Sequence, residues 1–199
     1  MHEYYFANYR LLVDDAISNS DCMDYLAGFS QVMPSSHTFT IHLGDEALLD
    51  TLFAKAIQHP VVCTTESFSI HDTRDTWTFL SLMNEEVARH NGKYVLTCTK
   101  DYSEMTLYIS HQPYYYEKIR QWVKPWLPFS SSIRTACEAG MTMRDGMPLH
   151  ASLVEKDGYG VVFLGPSGMG KSTQAKTRSL SRWRVMNRSD VRTVSRCFR

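Results

Sequence analysis

A short apolar run is followed at once by a glycine-rich loop between residues 161 and 172. The run reads Val161-Val162-Phe163-Leu164, and the loop reads Gly165-Pro166-Ser167-Gly168-Met169-Gly170-Lys171-Ser172. The loop has the form G-x-x-x-x-G-K-[ST], which binds phosphate when a strand precedes it and a helix follows it. Residues 173–176 are suited to begin such a helix. The stretch therefore predicts a strand, a phosphate-binding loop and the start of a helix.

Each residue type in this loop has a chemical role in holding a nucleotide. Glycines at 165, 168 and 170 let backbone N–H groups approach phosphate oxygens, and the positive end of the following helix adds to the attraction. Lys171 is expected to reach the β- and γ-phosphates, and the Ser172 hydroxyl to ligate Mg²⁺. The predicted cofactors are therefore ATP and Mg²⁺. The predicted nucleotide contacts are Gly165, Pro166, Ser167, Gly168, Met169, Gly170, Lys171, Ser172 and Thr173.

The composition favours a globular cytoplasmic protein. The chain has 199 residues, of which 43% are hydrophobic, and no apolar run approaches the roughly 20 residues that span a membrane. The N-terminus lacks the basic start and apolar stretch of a signal peptide. Five cysteines are scattered without a C-x-x-C pair, which indicates thiols in a reducing compartment rather than a zinc or disulfide framework. A membrane partner is not expected.

The net charge of zero hides a basic C-terminal segment. Residues 171–199 contain nine Lys or Arg and one acidic residue, Asp190, whereas residues 1–170 are acidic overall. The segment shows little helical periodicity where the helix after the loop should continue. Such an abrupt change favours either a truncated domain or an interrupted reading frame over a native nucleic-acid-binding tail.

Hydrophobic periodicity predicts an α+β protein. Strands are expected at 4–13, 38–43, 76–83, 93–99 and 105–112, the last three as an antiparallel meander. Helices are expected at 46–58, 114–123 and 130–143, with a short one near 23–29, and a hairpin at 149–154 and 161–164. In the first helix the apolar residues at helical spacing are Leu48, Leu49, Leu52, Phe53 and Ile57, and in the third Ile133, Ala136, Cys137 and Gly140 lie along one side.

Two modules are predicted, with a boundary between residues 124 and 128, where prolines interrupt the chain. Residues 1–124 form an antiparallel α+β module of unknown role, and residues 126–199 begin a nucleotide-binding domain. About 75 residues are too few for the layered core of such a domain. An unfinished sheet has an exposed, aggregation-prone edge, so either poor solubility or its rescue by association into a homo-oligomer is expected.

The register His-x7-Gly-x-Gly-x4-Gly, formed by His150, Gly158, Gly160 and Gly165, resembles the kinase domain of HPr kinase/phosphorylase. The resemblance covers about 25 residues, plus the preceding helix more loosely. It implies the ATP-binding fold shared with ATP-dependent phosphoenolpyruvate carboxykinases. It also implies phosphoryl transfer from ATP to a serine hydroxyl on a protein phosphoacceptor, with His150 beside the γ-phosphate.

The chain departs from this family at two places. The family often has an acid directly after the Lys-Ser pair, where this chain has Thr173. Its catalytic acidic pair lies roughly two dozen residues beyond the loop, where this chain offers only Asp190. Phosphoryl transfer needs a base or a group that orients the nucleophile. Asp190 is therefore the second catalytic candidate, and a catalytically inactive nucleotide-binding remnant is the alternative.

Other functions fit the sequence less well. The loop wording also occurs in ABC-type ATPases, but their further motifs do not fit in the residues after the loop. His37 and His42 lack the partner spacing of a metal site and are expected at a strand end and on a strand face. Aromatic residues at 114–126 are not interleaved with basic ones, which argues against nucleic acid.

Overall fold

A computed structural model of the chain describes residues 1–6, 8–18, 29–81, 93–110, 114–116, 121–123, 130–147, 151–156, 159–165, 169–171, 173 and 184–185. Its strands are β1 (His2–Phe6), β2 (Tyr9–Val13), β3 (His37–Leu43), β4 (Val61–Thr64), β5 (Phe68–Asp72), β6 (Thr76–Ser81), β7 (Tyr94–Thr99), β8 (Glu104–Ile109), β9 (Tyr114–Tyr116), β10 (Gln121–Val123), β11 (Ala151–Lys156), β12 (Tyr159–Leu164) and β13 (Arg184–Val185). Its helices are α1 (Asp15–Ser18), α2 (Leu49–Ala56) and α3 (Ser130–Thr142), with a 3-10 turn at Glu46–Leu48.

Among these residues, eight strands form one sheet in the order β1-β2-β3-β8-β7-β6-β5-β4, here called the large sheet. Strands β4 to β8 follow one another as an antiparallel meander, so the meander predicted at 76–112 is confirmed. Strand β3 lies between β2 and β8 and runs parallel to both. The large sheet is therefore mixed, which corrects the expectation of an antiparallel module and is consistent with the α+β class.

The parallel pairs have a simple origin in chain connectivity. Antiparallel neighbours need only a tight turn, whereas parallel neighbours need a longer crossover. The chain makes such a crossover between β2 and β3, and β8 joins β3 only after the meander. Short-range patterns carry no record of these long-range pairings.

One face of the large sheet holds the main core. Phe39 and Ile41 from β3 and Leu96 from β7 are fully buried there. Helix α3 covers this face with Ile133, Ala136 and Cys137, the side that its sequence predicted. Burying a side chain such as Ile133 contributes about 1.5–3 kcal/mol. The domain boundary between residues 124 and 128 stays a prediction. Helix α3, which follows this boundary in the chain, packs on the large sheet.

Helix α3 is attached to the sheet at both ends. At its start, the Ser132 hydroxyl is hydrogen-bonded to the Tyr94 hydroxyl, and burial raises the pKa of Tyr94 to about 12. Beyond its end, Arg144 donates to the backbone carbonyls of Gly140 (2.8 Å) and Asp101 (2.7 Å) and to Asp101 Oδ2 (2.9 Å). The helix is therefore fixed in position along the sheet.

Two thiols meet in this core. Cys98 on β7 and Cys137 on α3 are buried and free, and they lie close enough to influence each other electrostatically. Burial raises the pKa of both thiols, that of Cys137 to about 12. A third free thiol, Cys63 on β4, is exposed.

Among the described residues, helix α2 covers part of the opposite face. Helix α2 buries Leu49 and Ala56 against Leu80 and Val95. Leu48 and Ile57, expected on the buried side, are about half exposed (47% and 51%). The first turn is 3-10, with three residues per turn, so Leu48 does not align with the apolar side of the α-helix.

Several predicted elements differ in the structure. Residues 4–13 are not one strand but the hairpin of β1 and β2, because the chain reverses near Asn8, a residue suited to turns. Residues 114–123 are not a helix, since β9 and β10 pair antiparallel and tyrosines favour strands. Strands β4 and β5 were not anticipated. Residues 23–28 of the predicted short helix lie outside the described residues.

Gly140→Ala is expected to destabilise the fold. A Cβ at this position would lie 2.6 Å from Cε1 of Phe39 and 3.0 Å from Cβ of Tyr102. Overpacking of this kind costs about 1–3 kcal/mol, whereas helix propensity alone would give a gain of about 1 kcal/mol. Urea unfolding measures the sign of the change. Thr142→Ala, an exposed site on the same helix, serves as the propensity control, and a gain in the free energy of unfolding for Gly140→Ala would contradict the close packing.

Asp101 is expected to make stability depend on pH in the acid range. Burial alone would raise the pKa of Asp101. Hydrogen bonds from Thr99 and Ser103 and the charge of Arg144 outweigh this effect and lower the pKa to about 2. Its contribution is therefore present above the unfolded pKa of 3.8 and is lost as pH falls through about 2. Because 54% of the side chain is exposed, screening reduces that contribution to about 1 kcal/mol.

Asp101→Asn measures this contribution. Urea unfolding at pH 7 should show destabilisation, and the difference from the unsubstituted protein should shrink between pH 4 and pH 2. Asp50→Asn, which removes an exposed carboxylate paired with Lys93, is the control. A difference for Asp101→Asn that stays constant over this pH range would refute the assignment.

Candidate phosphate-binding site

The glycine-rich loop follows the second strand of a hairpin. Strands β11 and β12 pair antiparallel from Ala151↔Leu164 to Lys156↔Tyr159, which confirms the predicted hairpin. The short strand β13 pairs with the other side of β11. Among the described strands, these three form a separate small sheet in the order β12-β11-β13. The loop therefore begins directly where an edge strand of the small sheet ends.

Two loop glycines have backbone conformations that other residues rarely adopt. Gly165 has φ +155° and Gly170 has φ +74°. Among the described residues, a Cβ at Gly165 would meet only Met169 Cβ, at 3.8 Å, and a Cβ at Gly170 would meet no atom within 4 Å apart from its chain neighbours. Glycine is thus required here by the backbone and not by crowding. The role predicted for the glycines, to turn the loop tightly so that N–H groups approach phosphate, stays a prediction.

The Lys171 side chain is hydrogen-bonded to the backbone at the start of the loop. Its Nζ donates a hydrogen bond to the Gly165 carbonyl over 2.7 Å, and the residue is partly buried. The side chain therefore folds back across the loop toward the end of β12. A lysine ammonium is a compact charge on a flexible stem with three donors, so it can be exchanged onto a phosphate by a change of rotamer.

The structure describes only part of the predicted site. It brings Lys171 onto Gly165, and it places Met169 and Thr173 at the exposed surface. Pro166, Ser167, Gly168, Ser172, His150 and Asp190 lie outside the described residues. The Mg²⁺ ligand and both catalytic candidates therefore remain predictions.

The two histidines examined as possible metal ligands lie where the sequence placed them. His37 begins β3, and His42 lies on an exposed strand face with Nε2 3.2 Å from Glu104 Oε2. Within the described part of the chain, no group of three or more His, Cys, Asp or Glu could hold a metal ion. Of the helices in the same residues, none has the length and apolar character to cross a bilayer.

A serine–histidine pair on β5 was not anticipated. Ser69 Oγ lies 3.0 Å from His71 Nε2, and His71 Nδ1 lies 3.1 Å from the carbonyl oxygen of His59. Since a carbonyl only accepts, Nδ1 carries a proton, and in the neutral ring Nε2 then accepts from the serine hydroxyl. The Ser-x-His spacing puts both side chains on one strand face, which is the signal that could have revealed the pair. Both are buried, so the pair joins β5 to the segment after α2 rather than presenting a nucleophile.

Comparison with known proteins gives one partial similarity. Residues 119–194 are similar to the family described as SynChlorMet cassette protein ScmC. This range is less than half of the chain, and it runs from β10 through α3, the hairpin and the loop into the basic segment. The similarity is therefore not confined to the phosphate-loop motif. No curated protein and no solved structure matches the chain.

Substitutions of Gly170 should weaken phosphate binding in a defined order. The left-handed conformation costs an ordinary residue roughly 1–2 kcal/mol, less for Asn and more for β-branched side chains. Because a Cβ at Gly170 would meet no atom of the described residues within 4 Å apart from its chain neighbours, this order is expected from the backbone conformation. Affinity for inorganic triphosphate with Mg²⁺, measured by calorimetry, is expected to fall in the order Gly, Asn, Ala, Val.

Met143→Ala, outside the predicted nucleotide contacts, is the control. Its side chain is 60% exposed, so its removal should leave the affinity unchanged. Equal affinities for Gly170→Asn and Gly170→Val would show that the conformation of Gly170 does not matter for binding.

Proposed function

We propose that residues 165–173 bind ATP with Mg²⁺ and that the chain is a phosphotransferase of the HPr serine-kinase type. The observation that carries the proposal is the loop after β12, with Gly165 and Gly170 at positive φ and Lys171 folded onto the loop. A nucleoside triphosphate requires converging N–H groups and a mobile cation. The positive φ angles of Gly165 and Gly170 favour the first, and Lys171 supplies the second. In this proposal Lys171 leaves the Gly165 carbonyl and binds the β- and γ-phosphates.

Three further residues are assigned roles in metal binding and catalysis. The Ser172 hydroxyl would hold Mg²⁺, which when bound neutralises charge on the phosphates. His150, which directly precedes β11, would lie beside the γ-phosphate, as the resemblance to HPr kinase implies. Asp190 would accept the proton of the attacking serine hydroxyl or orient that hydroxyl.

The acceptor and the surroundings belong to the same proposal. The acceptor is a serine of a partner protein, and the protein acts in the cytoplasm. The free thiols of Cys98 and Cys137, close together in the core and not joined in a disulfide, are consistent with a reducing compartment. Association into a homo-oligomer would cover exposed apolar surface of the small sheet, where Leu164 is 65% exposed.

Lys171→Ala tests the proposal. A charge-assisted hydrogen bond contributes about 1.5–3 kcal/mol, so the affinity for ATP with Mg²⁺ should fall by about 10- to 100-fold. Transfer of the γ-phosphoryl group to a serine-containing protein should be lost. Calorimetry measures the first effect, and radiolabelled ATP measures the second. Arg134→Gln, which removes a positive charge from the exposed side of α3, is the matched control and should change neither.

Three outcomes separate the alternatives. Loss of transfer in Lys171→Ala, with an unchanged far-ultraviolet circular dichroism spectrum, supports the kinase. ATP binding without transfer in any variant identifies a nucleotide-binding remnant and refutes the catalytic part. Failure of ATP to bind the folded, unsubstituted chain refutes both the kinase and the nucleotide-binding remnant. Salt-dependent binding of nucleic acid that survives Lys171→Ala would then assign nucleic-acid binding to the basic segment.

A further inference from the structure

A cleft lies between α2 and the large sheet, on the face opposite α3. The C-terminal half of α2 forms one wall, and the turn between β5 and β6 and the strands β6 and β7 form the other. Its volume is about 190 Å³. Sites for drug-sized molecules begin at about 300 Å³, so this cleft suits a ligand of only a few heavy atoms.

The sheet side of the cleft is lined by threonine hydroxyls. Thr73 Oγ1 lies 2.6 Å from Thr76 Oγ1, and Thr76 Oγ1 lies 3.3 Å from Thr78 Oγ1. Thr97, the cross-strand neighbour of Thr78, extends the row onto β7. A hydroxyl has one donor and two acceptor positions, so the row can serve an anionic or a cationic group. The wall from α2 is apolar, with Leu52 and Ala56.

Two opposite charges flank the cleft without pairing. Lys55 lies on the α2 side and Asp75 on the turn, and both are exposed. Among the described residues, neither side chain forms an ion pair or a hydrogen bond, with the other or with a third group. A cleft with one cation, one anion and no net charge is complementary to a ligand that itself carries both charges.

We propose that this cleft binds a small free amino acid. The ligand carboxylate would contact Lys55 and the threonine hydroxyls, the ammonium group would contact Asp75, and a short side chain would pack on Leu52 and Ala56. Charge complementarity of this kind gives specificity more than affinity. The inference does not rest on the proposed nucleotide site, since every residue involved belongs to α2 and the large sheet.

The experiment is a titration of the full chain by calorimetry and amide NMR. The probes are L-serine and L-alanine, with acetate and methylammonium as ligands that each carry one of the two charges. Concentrations extend to about 20 mM, because so few atoms cannot bind tightly. L-serine or L-alanine should bind, and each single-charge probe should bind at least about 10-fold more weakly.

Lys55→Gln and Asp75→Asn supply the matched variants. Both residues are exposed, so both variants should fold, and each should reduce the affinity for the amino acid by about 10-fold. Asp50→Asn, on α2 but outside the cleft, should change it by less than about 2-fold. The proposal is overturned if the folded chain binds neither amino acid, if acetate binds as well as serine, or if Lys55→Gln and Asp75→Asn bind normally.

Discussion

The close approach of α3 to β3 is the contact on which the rest of the fold depends. Gly140 lies so near the Phe39 ring that no side chain fits between them, and this contact brings the helix over the centre of the sheet. The bonds of Ser132 and Arg144 then hold the two ends of the helix. Because β3 is the only described strand with parallel neighbours on both sides, the helix covers the place where the N-terminal hairpin joins the meander.

The two faces of the large sheet are built differently as a result. The face under α3 is apolar and closed, with aromatic and aliphatic side chains from most of its strands. The other face has a buried apolar patch under α2, with Leu80 and Val95, and beyond this patch it carries threonines and the exposed His42. A mixed sheet with one closed face leaves its second face available for polar contacts.

Local chemistry explains which parts of this structure could be predicted from the sequence. Alternating residues predicted the meander, and the positions of Ile133, Ala136 and Cys137 predicted the buried side of α3. The apolar run before the glycine-rich motif predicted a strand that ends at Leu164, as the structure shows.

The failures concern information that is not local. No periodicity shows that β3 is inserted between β2 and β8. The β9–β10 hairpin was mistaken for a helix because a short run offers too few residues to distinguish the two periods. The hydrogen bond from Lys171 to Gly165 depends on a side-chain rotamer, which a motif does not specify.

The reactivity of the cysteine thiols reports local opening of the fold. A thiolate, not a thiol, reacts with alkylating reagents, and burial keeps Cys98 and Cys137 protonated and out of reach. These two thiols therefore become reactive only when α3 separates from β7, whereas Cys63 is accessible in the folded chain. Mass spectrometry measures the alkylation rate of each thiol. The rates of Cys98 and Cys137 relative to that of Cys63 give the free energy of opening between α3 and β7, without denaturant and without knowledge of any ligand.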